Sequence, residues 1–236
     1  MPMLARRPSN LGFPSDIAQS SYYPGQARMS RQEIARVSQI LEDNSIYAEN
    51  TRIRKVHEDG KTRFEVLQGS IERDDHPGEL HDPVSGISIL VIRGDHSKEL
   101  ARVCECLDEA CKYVANPFQE KFIREYQKSF QSGDIETHKK SQRIWVKDIK
   151  PAVETQFGFI EPYRDPFGIR AEFEGLVALV DAEETKALTT LVENSAKFIR
   201  RLPWAEIPDG ENDGKGPFEK DLFEAPDFTS LHGTGL

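Results

Sequence analysis

The spacing of apolar residues changes along this chain, and the change rules out any fold built from one kind of element. Ile34, Val37, Ile40 and Leu41 recur at intervals of three to four, which gives a helix one apolar face. Ser30-Arg31-Gln32-Glu33 precedes them as a capping box and Asn44 follows as a stop, so a helix is expected up to about Asp43. From Arg52 the interval falls to two. Ile53, Lys55 and Val56 lead into Asp59-Gly60, and Phe64, Val66 and Leu67 return from it, the pattern of a β-hairpin. Ile87 to Ile92 is a continuous apolar run between Gly86 and Gly94 and reads as a buried strand, with the acidic segment from Ile71 to Pro83 as a loop.

The helical period then returns. Leu100, Val103, Leu107, Ala110 and Val114 place a helix over about 97–115, closed by Pro117. Phe118, Phe122, Tyr126 and Phe130 stand four apart on a second helix ending at Gly133, and such a stripe is a buried face before it is a cofactor box. A third helix from Asp134 to about Lys147 is expected to show His138, Lys139, Lys140 and Arg143 to solvent. Gln156 to Ile160 and Phe173 to Val180 read as strands around a turn-rich stretch, and a last helix spans about 182–201. Residues 1–29 have no sustained period and read as an extended lead-in without a core of its own; Glu206 to Gly216 has the Gly/Asp/Glu composition of a surface insertion. Helices and strands without strict alternation give the fold class α+β, with no internal repeat and no phosphate loop.

Function classes are narrowed by charge. The 236 residues carry 31 Lys and Arg against 40 Asp and Glu, a net charge of -9, which opposes a phosphate backbone, so no nucleic-acid partner is expected. No run approaches the ~20 apolar residues of a membrane helix, and Met1 to Arg7 leads into Pro8-Ser9-Asn10 rather than into a signal-like apolar stretch. Cys104, Cys106 and Cys111 are odd in number, and a helix turns the first two apart; reduced thiols and a cytoplasmic location are expected. Their C-x-C-x4-C spacing matches no common zinc site.

The densest chemistry lies in Gly158-Phe159-Ile160-Glu161-Pro162-Tyr163-Arg164-Asp165-Pro166-Phe167-Gly168. Taken by itself, this loop reads as a solvated turn with an Arg164–Asp165 surface pair. Together with Arg170-Ala171-Glu172-Phe173-Glu174-Gly175, however, it resembles the signature segment of the dipeptidyl peptidase III family. Ile92-Arg93-Gly94-Asp95, Glu136-Thr137-His138-Lys139, Arg143 to Asp148, Leu202-Pro203-Trp204, Phe218-Glu219-Lys220-Asp221 and Pro226 to Leu231 match the same family in the same order.

The resemblance implies a cytosolic zinc exopeptidase that releases dipeptides from oligopeptides with a free N-terminus. It implies a two-lobed fold, of which this chain holds part of a β-barrel-containing lower lobe (30–181), one helix of the upper lobe (182–204), a surface insertion (205–217) and a truncated return to the lower lobe (218–236). On the matched positions, Glu161 is the carboxylate that binds the substrate's α-ammonium group, and Tyr163 is the hydroxyl that donates to the oxyanion. Residues two apart on a strand-like segment share a face, so both can serve one cleft.

The family's H-E-x-x-x-H and E-E-C-x-A-E zinc motifs do not occur in the sequence. Of the six histidines only His57 precedes a glutamate, and His57-Glu58 reads as hairpin surface; His76 and His81 stand five apart in an acidic loop. The expectation is therefore a partial family member, binding no zinc itself and inactive alone. The alternatives are a non-catalytic peptide-binding protein and an unstable fragment.

Overall fold

The computed structural model describes residues 20–58, 60–82, 86–149, 151–194, 197–198, 201 and 231–235. The remainder of the 182–201 helix, Pro203-Trp204, the 205–217 insertion, residues 218–230 and most of the lead-in lie outside them. Two compact units result: Met1–Trp145 with Phe157–Gly175, and Val146–Gln156 with Leu176–Leu236.

The first unit opens with α1 (Arg31–Asp43), and both halves of its capping box form: the Ser30 hydroxyl accepts from Glu33 N–H, and the Glu33 carboxylate accepts from Ser30 N–H. β1 (Thr51–Glu58) and β2 (Lys61–Gly69) make the expected hairpin, and Gly60 at φ +74° takes the turn. β4 (Ser88–Asp95) runs parallel to β2, and with β3 (Gly78–His81) the sheet order is β1-β2-β4-β3.

The 71–83 loop is not strandless, because Gly78–His81 forms β3, antiparallel to β4. β3 is four residues long, polar and at the sheet edge, so nothing in its composition announces a strand. In β4 only Ile89 is fully buried, against the expected buried run. Ile34, Val37, Ile40 and Leu41 of α1 pack with Ile53, Phe64, Val66 and Ile89 of the sheet. The lead-in adds Tyr23 and Met29 to this core, at 0% and 2% exposure.

A second core lies among helices. α2 (Ser97–Ala110) passes through a short 3-10 turn, Cys111–Tyr113, and α3 (Pro117–Ser132) follows. Pro117 therefore opens a helix instead of closing one. Its absent N–H costs nothing at that position, and the Asn116 side chain caps Phe118 and Gln119. Phe122, Tyr126 and Phe130 are buried as the stripe requires, whereas Phe118, in the first turn, is 44% exposed. On α2 the core positions are Leu100, Cys104 and Leu107; Cys104 takes the inward place that Ala110 was expected to share. All three cysteines are free, with only Cys106 exposed. Gly133 ends α3 at φ +79°, and a Cβ there would lie 2.9 Å from the Gly69 carbonyl oxygen.

α4 (Ile135–Trp145) corrects one expectation that matters for the site. His138 does not face solvent; its ring lies 5.6 Å from that of Tyr126 and against the backbone of Gly158. Burial lowers its pKa, because a charged imidazole there would be desolvated.

β5 (Val153–Phe159), β6 (Phe173–Val180) and β7 (Leu231–Gly235) form a sheet of order β5-β6-β7. In the second unit β7 is antiparallel to β6, and α5 (Ala182–Glu193) starts where Asp181 accepts from Glu184 N–H at 2.7 Å. Leu176, Val177 and Leu179 of β6 are exposed, by 38–58%. No helix among the described residues is long and apolar enough to cross a membrane.

Candidate functional site

The loop that follows β5 is fixed at both ends. At its start, Ile160 N–H donates to Glu172 O (3.2 Å) and Glu172 N–H donates to Glu161 O (3.0 Å). Two residues thus oppose one, the arrangement of a β-bulge, a device that ends pairing and re-aims side chains next to sites. The strand leading in is held by its neighbours: the Phe159 ring meets Phe173 edge-on at 5.3 Å, and Gly158, at φ +152°, leaves room for the His138 ring. An added Cβ at Gly158 would lie 2.5 Å from His138 Cε1.

At the far end, Asp165 is turned inward and is 6% exposed. Its Oδ1 accepts from the Tyr23 hydroxyl (2.7 Å) and Phe167 N–H (3.0 Å), and its Oδ2 from Ile169 N–H (3.0 Å) and Arg170 N–H (2.8 Å). Arg170 is fully buried, over the Tyr23 ring at 5.5 Å, and donates to Ser38 Oγ at 3.3 Å. Burial lowers its pKa, opposed by the Asp165 carboxylate. The Arg164–Asp165 surface pair does not form; Arg164 pairs with Glu172 instead.

Between these anchors Glu161 is exposed and Tyr163 is 75% exposed, with Pro162 between them limiting the backbone. A carboxylate and a phenol are therefore offered to solvent from a short segment whose flanks cannot move far. An exposed carboxylate can accept from an ammonium, and an exposed phenol can donate to an oxygen gaining charge.

Beside the loop, a cavity of about 350 Å³ is walled by Tyr22, Asn50, Phe159 and Phe173, with the Arg52–Asp95 and Arg164–Glu172 pairs. Arg52 is bidentate on Asp95, at 2.7 and 2.6 Å. The Tyr22 hydroxyl is pushed up to about 12, first by burial and then by the Glu172 charge. Neither Glu161 nor Tyr163 lines this cavity.

His57 and Glu58 are hairpin surface as expected: His57 Nδ1 lies 2.9 Å from Thr62 Oγ1, and Glu58 pairs with Arg63 at 2.5 Å. His81 is on the exposed edge strand β3. Among the described residues no group of three or more His, Cys, Asp and Glu could hold a metal ion. Sequence reasoning missed Tyr23, Arg170 and the inward turn of Asp165. Only Asp165 carried a local signal, since Asp-Pro-Phe-Gly is the composition of a turn in which the aspartate caps backbone N–H groups further on.

Compared with models of protein families, residues 1–234 match that of Peptidase family M49. The chain belongs to peptidase family M49. Among curated M49-like relatives, the chain is 39% identical to dipeptidyl peptidase 3 of Dictyostelium discoideum over 212 residues, 90% of this chain and 28% of that protein. It is 36% identical to dipeptidyl peptidase 3 of Homo sapiens over 220 residues, with the same two coverages. The chain therefore spans about 28% of the length of these relatives. Among solved structures, DPP III from Caldithrix abyssi aligns with 84% of this chain and 33% of its own, at TM-score 0.52 and 21% identity, which shows a shared fold.

Proposed function

We propose that this M49 chain supplies the peptide-holding face of a dipeptidyl peptidase 3-like metallopeptidase, with oligopeptides bearing a free N-terminus as substrates and the cytoplasm as its location. The observation that carries the reading is the pair Glu161 and Tyr163, exposed on a loop anchored by the bulge at one end and by Asp165 at the other. Glu161 accepts from the α-ammonium group of the peptide, a charge-assisted hydrogen bond of ~1.5–3 kcal/mol. Tyr163 donates to the scissile carbonyl oxygen as it gains charge. Residues 30–181 are then lower-lobe, 182–204 an upper-lobe helix, 205–217 an insertion and 218–236 a return to the lower lobe.

Zinc, which this reading assigns to the complete enzyme, does not fit the described residues: no three ligands converge, and the carboxylates nearest the loop are engaged or isolated. Water activation belongs to parts of an M49 protein that this chain, at 28% of its relatives' length, does not span. That shortfall favours a second reading, recognition of peptides without turnover. The exposed Leu176, Val177 and Leu179 favour a third, a fragment that is unstable alone.

The test has two stages. Calorimetry on the 236-residue chain compares a free N-terminal peptide with its acetylated form; the free peptide should bind at least about tenfold tighter, and Glu161→Gln should erase the difference. Equal affinities remove the ammonium role. In an active gene product that carries this sequence, Tyr163→Phe should lower kcat by roughly 10²–10³ with KM little changed, and unchanged kcat removes the oxyanion role.

A further inference from the structure

The acidic anchor of the loop bearing Glu161 and Tyr163 is joined to the rest of the first unit by a side chain that lies far away in sequence. Tyr23 is 142 residues from Asp165, fully buried, and donates its hydroxyl to Asp165 Oδ1 at 2.7 Å. It does not float. Ile53 N–H of β1 donates to the Tyr22 carbonyl at 2.9 Å, and Tyr23 N–H donates to Ser20 O at 2.9 Å, so the segment is tied to the sheet edge. Behind the Tyr23 ring stands the Arg170 guanidinium, which reaches Ser38 on α1. Tyr22, one residue back, walls the cavity shared with Arg164 and Glu172. The Tyr22-Tyr23 pair therefore touches the surroundings of both loop anchors.

From this geometry we infer that Tyr23 is a positioning residue for the loop, setting where Glu161 and Tyr163 stand by fixing Asp165 against β1 and α1. The inference deepens the proposed function and rests on it for its functional consequence. The physical basis is rotational. Three of the four donors on Asp165 come from its own loop, Phe167, Ile169 and Arg170, and would travel with it. Of these four donors only the Tyr23 hydroxyl comes from another part of the chain, so among them it is what holds Asp165 itself to the sheet edge, ahead of the ties made further along by Arg170 to Ser38 Oγ and by Ala171 N–H to Glu49 O (2.8 Å). Removing it leaves the turn intact and loosens Asp165 from the sheet edge, while the ties at Arg170 and Ala171 remain. Displacements of about 1 Å at a reacting or binding group can cost on the order of 10²-fold.

The experiment uses the 236-residue chain with Tyr23→Phe, which keeps the ring and deletes only the hydroxyl. Val37→Ala serves as a core control, since Val37 belongs to the same core cluster and not to the Asp165 network. Amide hydrogen exchange should quicken over 160–170 in Tyr23→Phe, with α3 and α4 unchanged, and should not do so locally in Val37→Ala. The affinity ratio between free and acetylated peptide should fall about three- to tenfold in Tyr23→Phe, a fraction of the full loss of a charge-assisted bond. It should hold in Val37→Ala, and Tyr23→Phe added to Glu161→Gln should change nothing further. Unchanged exchange over 160–170, or an equal fall of the ratio in Val37→Ala, overturns the positioning role. Absence of any preference in the unmodified chain sinks the Glu161 reading instead, and the exchange result then decides alone whether Tyr23 places the loop.

Discussion

Asp165→Asn is the sharpest test of how the loop is held, because the substitution changes almost no volume and yet is incompatible with the donor set. Oδ1 receives the Tyr23 hydroxyl and Phe167 N–H, while Oδ2 receives Ile169 N–H and Arg170 N–H. Whichever oxygen becomes an NH₂ group, it faces at least one backbone donor. The better orientation puts nitrogen at the Oδ1 position, where the Tyr23 hydroxyl can rotate and accept, but Phe167 N–H is left without an acceptor. One buried unpaired donor costs ~1–3 kcal/mol. The remaining bonds lose their charge assistance, and the buried Arg170 loses the favourable field of a carboxylate, which brings the expected destabilisation to about 2–4 kcal/mol. In urea, with slopes of about 1–3 kcal/mol/M, the midpoint should fall by roughly 1–2 M. Fluorescence in a Trp204→Phe background, where Trp145 packs against the α2–α3 core, reports the first unit. A shift under about 0.3 M, or one no larger than that of the exposed Glu161→Gln, would refute the account of Asp165 as an anchor.

Other outcomes follow from the same structure. Gly158→Ala should destabilise by about 1–3 kcal/mol, because an L-residue is strained at φ +152° and its Cβ would meet His138 Cε1 at 2.5 Å; a neutral effect in thermal melts would mean that the ring swings away freely. Stability should decline as pH falls from 7 toward 5, since the unfolded chain protonates His138 near its ordinary ~6.5 while burial holds the folded imidazole lower; the loss begins at the unfolded value and ends at the folded one. His138→Gln should flatten part of that slope in urea titrations run across the range, and an unaltered slope counts against a buried neutral imidazole. With a thiol reagent at pH 8, Cys106 alone should react quickly, because Cys104 and Cys111 are buried and the Cys104 thiol is pushed up to about 11; three equal rates would contradict the packing of α2.

What could be read from sequence was what short-range physics decides. The capping box at Ser30 and Glu33, the hairpin at Gly60 and the stripe of Phe122, Tyr126 and Phe130 all express interactions within a few residues, and all stand in the structure. Failures came where a distant partner decides. Phe118 fits the stripe by spacing, but it lies in the first turn of α3 and is left largely in solvent. His138 looked polar among lysines until Gly158, twenty positions on, supplied a surface without a Cβ to receive its ring. Asp165 looked like half of a surface pair because its neighbour Arg164 is visible in the sequence and Tyr23 is not. Resemblance named Glu161 and Tyr163, and local pattern alone would have left them in a solvated turn.

The 142-residue span between Tyr23 and Asp165 also sets a timetable. A ribosome adds about 5–20 residues per second, so Tyr23 leaves the exit tunnel on the order of 10 s before its acceptor is made. During that interval α1, the hairpin and the helical layer can all assemble from contacts closer in sequence, with the place for the loop still empty. Mutations that slow or trap this early intermediate would therefore lower the yield of correctly closed molecules without altering the finished contacts around Glu161 and Tyr163.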